Sequence, residues 1–190
     1  AFLGPDTTIW NSYVLSGGQP ALYGYSDQRY DWIPSQADGF PSPLKEETLA
    51  GKTFWTTEVS LKKGVKWSDG KDVTAPDFVF TAHTVLDLQL SGNWSSIVDP
   101  EFFDHSVPLD PYKLKVFFKQ KPGLARWQFG MAFMPILSKS YWEPVVQEAK
   151  KQSDITAQQK ALFARVPSNE PIAGGFAFKR WEKAAFAEKA

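Results

Sequence analysis

The chain has 190 residues, 21 Lys and Arg balanced by 21 Asp and Glu, and no cysteine. A zero net charge argues against a nucleic-acid or anionic-membrane partner, because phosphate contacts call for a basic surplus. The lack of cysteine removes disulfides, thiolate catalysis and cysteine-based metal sites, and no apolar run is long enough for a membrane-crossing helix.

Hydrophobic residues at 43% and aromatics at 15% imply a packed core rather than disorder. The length suits one domain, or one domain with pieces of another. The start reads either as a chain that never had a signal or as one that is processed or cut, and the end reads as if something followed. The start, from Ala1, has no Met and no basic or apolar leader region. The end, Phe176 to Ala190, has neither a helix cap nor a polar tail. Eight Trp and fifteen Phe are first of all core material. Those in turn-rich stretches such as Gly17 to Trp32 also suit the lining of a pocket.

In chain order, residues 1–44 read as short strands broken by turns. Thr7 to Trp10 and Tyr13 to Leu15 have β-type composition. Gly17-Gly18-Gln19-Pro20 is a turn. Ala21 to Tyr25 is a strand or the end of a short helix. Pro34, Pro41 and Pro43 keep the following chain extended. Glu46 to Gly51 reads as a polar loop. Alternation from Phe54 to Leu61 predicts a strand whose buried face holds Trp55, Val59 and Leu61. Val65 to Trp67 is a short second strand, and Asp69-Gly70 supplies the positive φ of a tight turn.

Thr74 then caps a helix. Asp77 stands where a capping box has its acidic partner, and Pro76 lies in the first turn, where its missing N–H costs nothing. Phe78, Ala82, Val85, Leu86 and Leu90 form one apolar stripe, and Ser91-Gly92-Asn93 ends the helix. Lys113 to Lys119 is a strand, broken by Pro122-Gly123. Leu124 to Met131 reads as a short helix and Met134 to Leu137 as extended chain. Helices follow from Ser138 or Ser140 to Lys151 and from Thr156 to Ala164. Val166 to Pro171 is a linker, and Phe176 to Trp181 alternates as a strand.

Catalytic chemistry is hard to find. His83 and Asp87 share a helix face, with His105 and Asp104 as further metal-ligand types, but two ligands do not make a site. His83 therefore reads as a surface or capping histidine. Asp99 with Glu101, or Asp69 with Asp72, resemble paired carboxylates of a glycosidase, yet Asp-Pro and Asp-Gly are turn formers. There is no nucleophile elbow, Walker loop or dinucleotide fingerprint. The sequence implies no catalytic residue, no metal site and no cofactor.

One stretch carries more. Thr56 to Leu90, which includes LKKGVKWSDGKDVTAPDFVF, Leu61 to Phe80, resembles a segment of the family 5 bacterial extracellular solute-binding proteins, most strongly over Lys62–Val79. Three ordered companions fit the same family: Ile33 to Pro41, with Gln36 where Leu is usual; Phe133 to Glu143; and Glu170 to Lys183. The last departs from the family pattern at Ala173, Gly174, Phe176 and Ala177. The resemblance spans about residues 20–182.

The resemblance implies a mixed α/β fold like that of type II periplasmic binding proteins. Residues 1–35 are then the start of lobe one, 36–164 a subdomain inserted in it, and 165–190 a return strand, with the second lobe absent. It further implies a substrate-binding component of an ABC importer, a monomer that holds a peptide-like or other small solute between lobes. Its partners would be that ligand and a membrane permease, not nucleic acid. The place would be periplasmic or extracellular, with a lipid anchor as one option. Trp94, just after the capped helix, is the first candidate for ligand contact, followed by Tyr23, Tyr25 and Trp32. Half a cleft should not hold a peptide tightly. Two other readings stand beside this one: a carbohydrate-active enzyme or carbohydrate-binding module, and a sensor that keeps the binding fold without a transporter.

Overall fold

The alternation at Phe54 to Leu61 becomes a nine-residue strand at the centre of a sheet. The computed structural model describes residues 20–26, 28, 30–90 and 97–164. The described residues divide into two compact units, one up to Glu143 and a second from Pro144 to Ala164.

In the first unit, β1 (Tyr23–Ser26) and β2 (Asp31–Pro34) make an antiparallel hairpin. A separate four-stranded antiparallel sheet contains β3 (Lys45–Leu49), β4 (Lys52–Ser60), β5 (Phe103–Asp110) and β6 (Lys113–Phe118), in the order β3-β4-β6-β5. Register pairs Val59 with Leu114, Thr57 with Val116 and Trp55 with Phe118, so these six side chains share one face. Helix α1 (Ala75–Asp87) packs on β5 and β6, and its Phe78, Ala82 and Val85 are buried with Val59, Leu114 and Val116. The stripe read from spacing is therefore the core face.

The opposite sheet face carries charge. Lys45 and Lys115 both pair with Glu47, and Lys113 pairs with Glu58. Phe54 sits there too, edge-on to Phe117 at 5.9 Å. Both faces of β4 are thus covered at its start, which is why Phe54 and Thr56 are buried along with the expected Val59, while Trp55 is half-buried.

Several local expectations are corrected. Glu46 to Gly51 is not a loop: Lys45–Leu49 is strand β3, turned into β4 at Ala50 and Gly51 with φ of 49° and 78°. An exposed, charged edge strand has no apolar alternation to betray it. Strand β5 was not foreseen, since FDHSVPLD contains a proline and two aspartates. It lies at a sheet edge, where Pro108 costs no essential ladder bond, and its register is broken on both sides by irregularities. Val65 to Trp67 forms only an isolated bridge, Lys66 with Asp72, around the expected turn with Gly70 at φ 84°. Helix α1 ends at Asp87, earlier than expected. Gln89 takes φ 47° and Leu90 N–H reaches back to Val85 O at 3.0 Å, the bond of a left-handed helix ending. Leu124 to Met131 is a run of turns before a single 3-10 turn, Met131–Phe133.

The capping box forms. Thr74 N–H and its hydroxyl both donate to Asp77 Oδ2, at 2.8 and 2.9 Å. Helix α2 (Lys139–Ala149) starts after Ser138, whose carbonyl accepts Trp142 N–H at 3.0 Å. In the second unit, α3 (Ile155–Ala164) is capped by Asp154, which accepts Ala157 N–H at 2.8 Å. Val146, Ala149 and Leu162 are its buried apolar side chains among the described residues. The expected strand Thr7 to Trp10, the strand Tyr13 to Leu15, the helix end at Ser91 to Asn93, and everything from Val166 onward lie outside the described residues.

Candidate functional site

Tyr25 stands opposite Trp32 in the hairpin, and Tyr23 opposite Pro34, so the three aromatic side chains project from one face. The hairpin is held to the large sheet by backbone bonds. Asp38 N–H donates to Ser60 O (2.8 Å) and Lys62 N–H to Gln36 O (2.9 Å), while Lys62 Nζ reaches Ser35 O at 2.7 Å. These bonds fix the aromatic face against the segment that follows β6.

That segment supplies the rest. Trp127 meets Trp32 edge-on at 6.4 Å and Phe118 at 5.8 Å, linking the hairpin to the sheet core. Phe40 lies 6.5 Å from Tyr23 and 6.0 Å from Trp32. Phe129 lies 6.3 Å from Tyr25 and is backed by Phe133 at 5.8 Å. All these separations fall in the range where offset and edge-to-face rings attract. The turn that aims Phe129 is wide. Phe129 N–H reaches Leu124 O at 2.9 Å and Ala132 N–H reaches Trp127 O at 3.0 Å, five residues back in each case. Gly130 makes it possible, because a Cβ there would stand 2.6 Å from Arg126 O.

The wall has a sealed back and an open front. Tyr23 is 1% exposed and touches Trp32 at 4.1 Å. Its hydroxyl donates to Gly39 O at 3.1 Å, and burial pushes the phenol well above its ordinary value of 10.0. Trp32 is half-buried, and its enclosed indole N–H has no acceptor among the described residues. By contrast Tyr25 is 42%, Phe129 54% and Phe40 63% exposed. Large apolar side chains exposed side by side mark a surface made to be covered. Trp94 lies outside the described residues. Reading residue by residue reached Tyr23, Tyr25 and Trp32 but missed Phe40, Trp127 and Phe129. Nothing local distinguishes those three from core aromatics.

The other singled-out groups do structural work. Ser106 N–H donates to His83 Nε2 at 3.2 Å. His105 stacks on Phe117 at 4.2 Å and bonds Asp104 at 2.6 Å. Among the described residues no three His, Cys, Asp or Glu side chains gather as a metal cage. Asp99 pairs with Arg126 at 2.9 Å, and its other oxygen accepts Glu101 N–H. Asp72 is held by Lys66 at 2.6 Å and by the Tyr112 hydroxyl at 2.7 Å, which depresses its pKa. A separate cavity of about 280 Å³ lies between the Asp69-Gly70 turn and the first turns of α1 and α2, bounded by Trp67, Lys71, Pro76 and Glu143.

The family profile of the bacterial extracellular solute-binding proteins, family 5 Middle, matches residues 45–188. The chain belongs to this family. The periplasmic oligopeptide-binding protein OppA of Salmonella typhimurium is 32% identical over 76 residues, 40% of this chain and 13% of that protein. Among solved structures, the oligopeptide-binding protein AppA of Bacillus subtilis, in complex with a nonapeptide, is 28% identical. It covers 67% of this chain and 23% of its own, with a TM-score of 0.52. A Thermotoga maritima periplasmic oligopeptide-binding protein with bound mannohexaose shares the fold at 20% identity, 80% and 24% coverage and a TM-score of 0.53. The chain therefore spans between an eighth and a quarter of the length of these relatives. The fold is the mixed helix-and-sheet architecture of type II periplasmic binding proteins, as the Leu61–Phe80 motif led one to expect.

Proposed function

We propose that this polypeptide is part of the substrate-binding component of an ABC-type importer and that its aromatic wall faces a peptide-like or other small solute. The observation that carries the reading is the open front of that wall, Tyr25, Phe40 and Phe129, in a chain of the family 5 solute-binding proteins. An aromatic surface with few fixed charges buries ligand area without bond chemistry, which is what capture and release need. In this reading Tyr25 and the outer edge of Trp32 touch solute, Tyr23 props Trp32 from behind, and Trp94 adds a further contact. Residues 1–35 and 165–190 belong to one lobe and 36–164 to its inserted subdomain. A second lobe closes on the solute by hinge motion, and the closed form is what a membrane permease recognises. The work is done as a monomer, outside the cytoplasmic membrane.

The names of the relatives support the solute class: one structure holds a nonapeptide and another a mannohexaose. Thermal melting of the full-length protein with a nonapeptide, a pentapeptide and mannohexaose tests the reading. At least one should raise the melting temperature in step with its concentration, as mass action requires. No shift with any of them at saturating concentration would overturn it.

A further inference from the structure

Phe129 and Tyr25 lie 104 positions apart in the chain, yet their rings lie 6.3 Å from each other and both are exposed. Neither is there by slack. Tyr25 is fixed by the β1–β2 register, opposite Trp32. Phe129 is fixed by a turn that tolerates only glycine at position 130, and Phe133 stands behind it. Two exposed rings already in contact with each other lose less side-chain freedom when a third group joins them than two separate rings would.

Three charges on the same two segments have partners among the described residues, while Asp27 and Arg29 of the hairpin lie outside those residues. Asp31 accepts its neighbour's N–H, Trp32 N, at 2.7 Å. Arg126 pairs with Asp99 at 2.9 Å and lies 5.0 Å from the Phe102 ring centre. Lys121 sits over the Trp55 ring at 4.8 Å. These are the charged side chains of residues 20–37 and 121–133 among the described residues. A charged group placed on Tyr25 and Phe129 would exchange water for two apolar rings.

We infer that Tyr25 and Phe129 are specificity-determining residues that accept one uncharged aromatic or aliphatic side chain of a bound peptide. The inference rests on the solute-binding reading above and adds to it a preference among peptides.

The test uses the full-length protein and alanine pentapeptides carrying one Phe, Leu, Lys or Glu, scanned through all five positions. Calorimetric titration should show the best Phe or Leu peptide binding about tenfold more tightly than the best Lys or Glu peptide. Phe129→Ala should weaken the Phe peptide roughly three- to tenfold and the Lys peptide by a clearly smaller factor; Tyr25→Ala should act in the same direction. Hydroxyl-radical footprinting covers the case of a misfolded variant. Both rings should be oxidised in the free wild-type protein and protected by the Phe peptide. Equal affinity across the series would overturn the preference while leaving solute binding intact. So would rings already protected in the free protein, which means that more polypeptide covers them. An F129A loss confined to mannohexaose would transfer the wall to sugar rings and overturn the peptide assignment. No binding by any peptide or by mannohexaose removes the underlying reading, and this inference with it.

Discussion

Asp77, in the first turn of α1, accepts the backbone N–H of Lys139, the first residue of α2, at 2.7 Å. Its other carboxylate oxygen holds the Thr74 amide and hydroxyl. One buried side chain thus starts one helix and pins the first turn of another 62 residues later. Four residues on, Thr81 repeats the device: its oxygen accepts Leu137 N–H at 2.9 Å while its hydroxyl donates to Asp77 O at 2.7 Å. Together they set where the chain runs as it leaves the aromatic segment.

Asp77→Ala should lower stability by about 3 kcal/mol, since it removes a helix cap and strands a second buried donor. Asp77→Asn keeps one acceptor oxygen and should lose about half as much. Urea unfolding followed by far-UV circular dichroism gives both numbers. A loss under about 1 kcal/mol for the alanine variant would contradict the double role.

Thr81→Val keeps shape and removes the acceptor for Leu137 N–H, so about 1–3 kcal/mol should be lost. Thr81→Ser keeps the oxygen and should stay within about 1 kcal/mol of wild type. Because Thr81 and Asp77 hold Leu137 and Lys139, two residues apart in one segment, the double variant should depart from additivity.

Gly130→Ala places a Cβ 2.6 Å from Arg126 O and 2.8 Å from Ala125 O, both backbone atoms that cannot swing away. The turn must move, at a cost of about 2 kcal/mol or more, and Phe129 moves with it. Gly123→Ala is the control: nothing lies within 4 Å of its Cβ position, so the change should stay within about 0.5 kcal/mol. Melting temperatures of the two variants, measured side by side, decide the matter.

Glu47 is held at about 2, below the usual 4.5, by hydrogen bonds from Lys115 and Lys45. A depressed carboxylate stabilises the fold above its unfolded value and loses that contribution as pH falls toward its folded value. The stability gap between wild type and Glu47→Gln should therefore be full at pH 7 and close between about pH 4.5 and pH 2. Glu47 lies on the solvent face of an edge strand, so added salt should narrow the gap at pH 7. A gap independent of pH would show that the ion pairs contribute nothing.

Much of α1 was legible because its signals are local. A cap and its acidic partner sit three residues apart, and an apolar stripe repeats every three or four. The same holds for the Asp69-Gly70 turn and for β4. Strands β3 and β5 were illegible for the opposite reason: what stabilises them is backbone pairing with β4 and β6, the side chains of β3 are largely exposed, and β5 carries its buried Phe103 and Ser106 without a period-two apolar pattern. Ala50 hid the first hairpin, since alanine rarely takes the positive φ it adopts there. The second left a trace that can be recognised in retrospect. Asp110-Pro111-Tyr112 turns as Asp110 accepts Tyr112 N–H at 2.7 Å, between two β-forming runs.

Residue order alone settled the elements that are stabilised within a few positions of themselves, and through the Leu61–Phe80 motif it settled the family. It assigned turn roles to the aspartates, and it marked Tyr23, Tyr25 and Trp32 as aromatics worth following. Only the tertiary structure decided that Tyr23 is interior and Tyr25 open, that Phe40, Trp127 and Phe129 join them, and that Asp77 serves two helices. A ring's neighbours across a fold depend on how distant segments pack, as Tyr25 beside Phe129 and Trp32 beside Trp127 show, and no short window of sequence contains both partners.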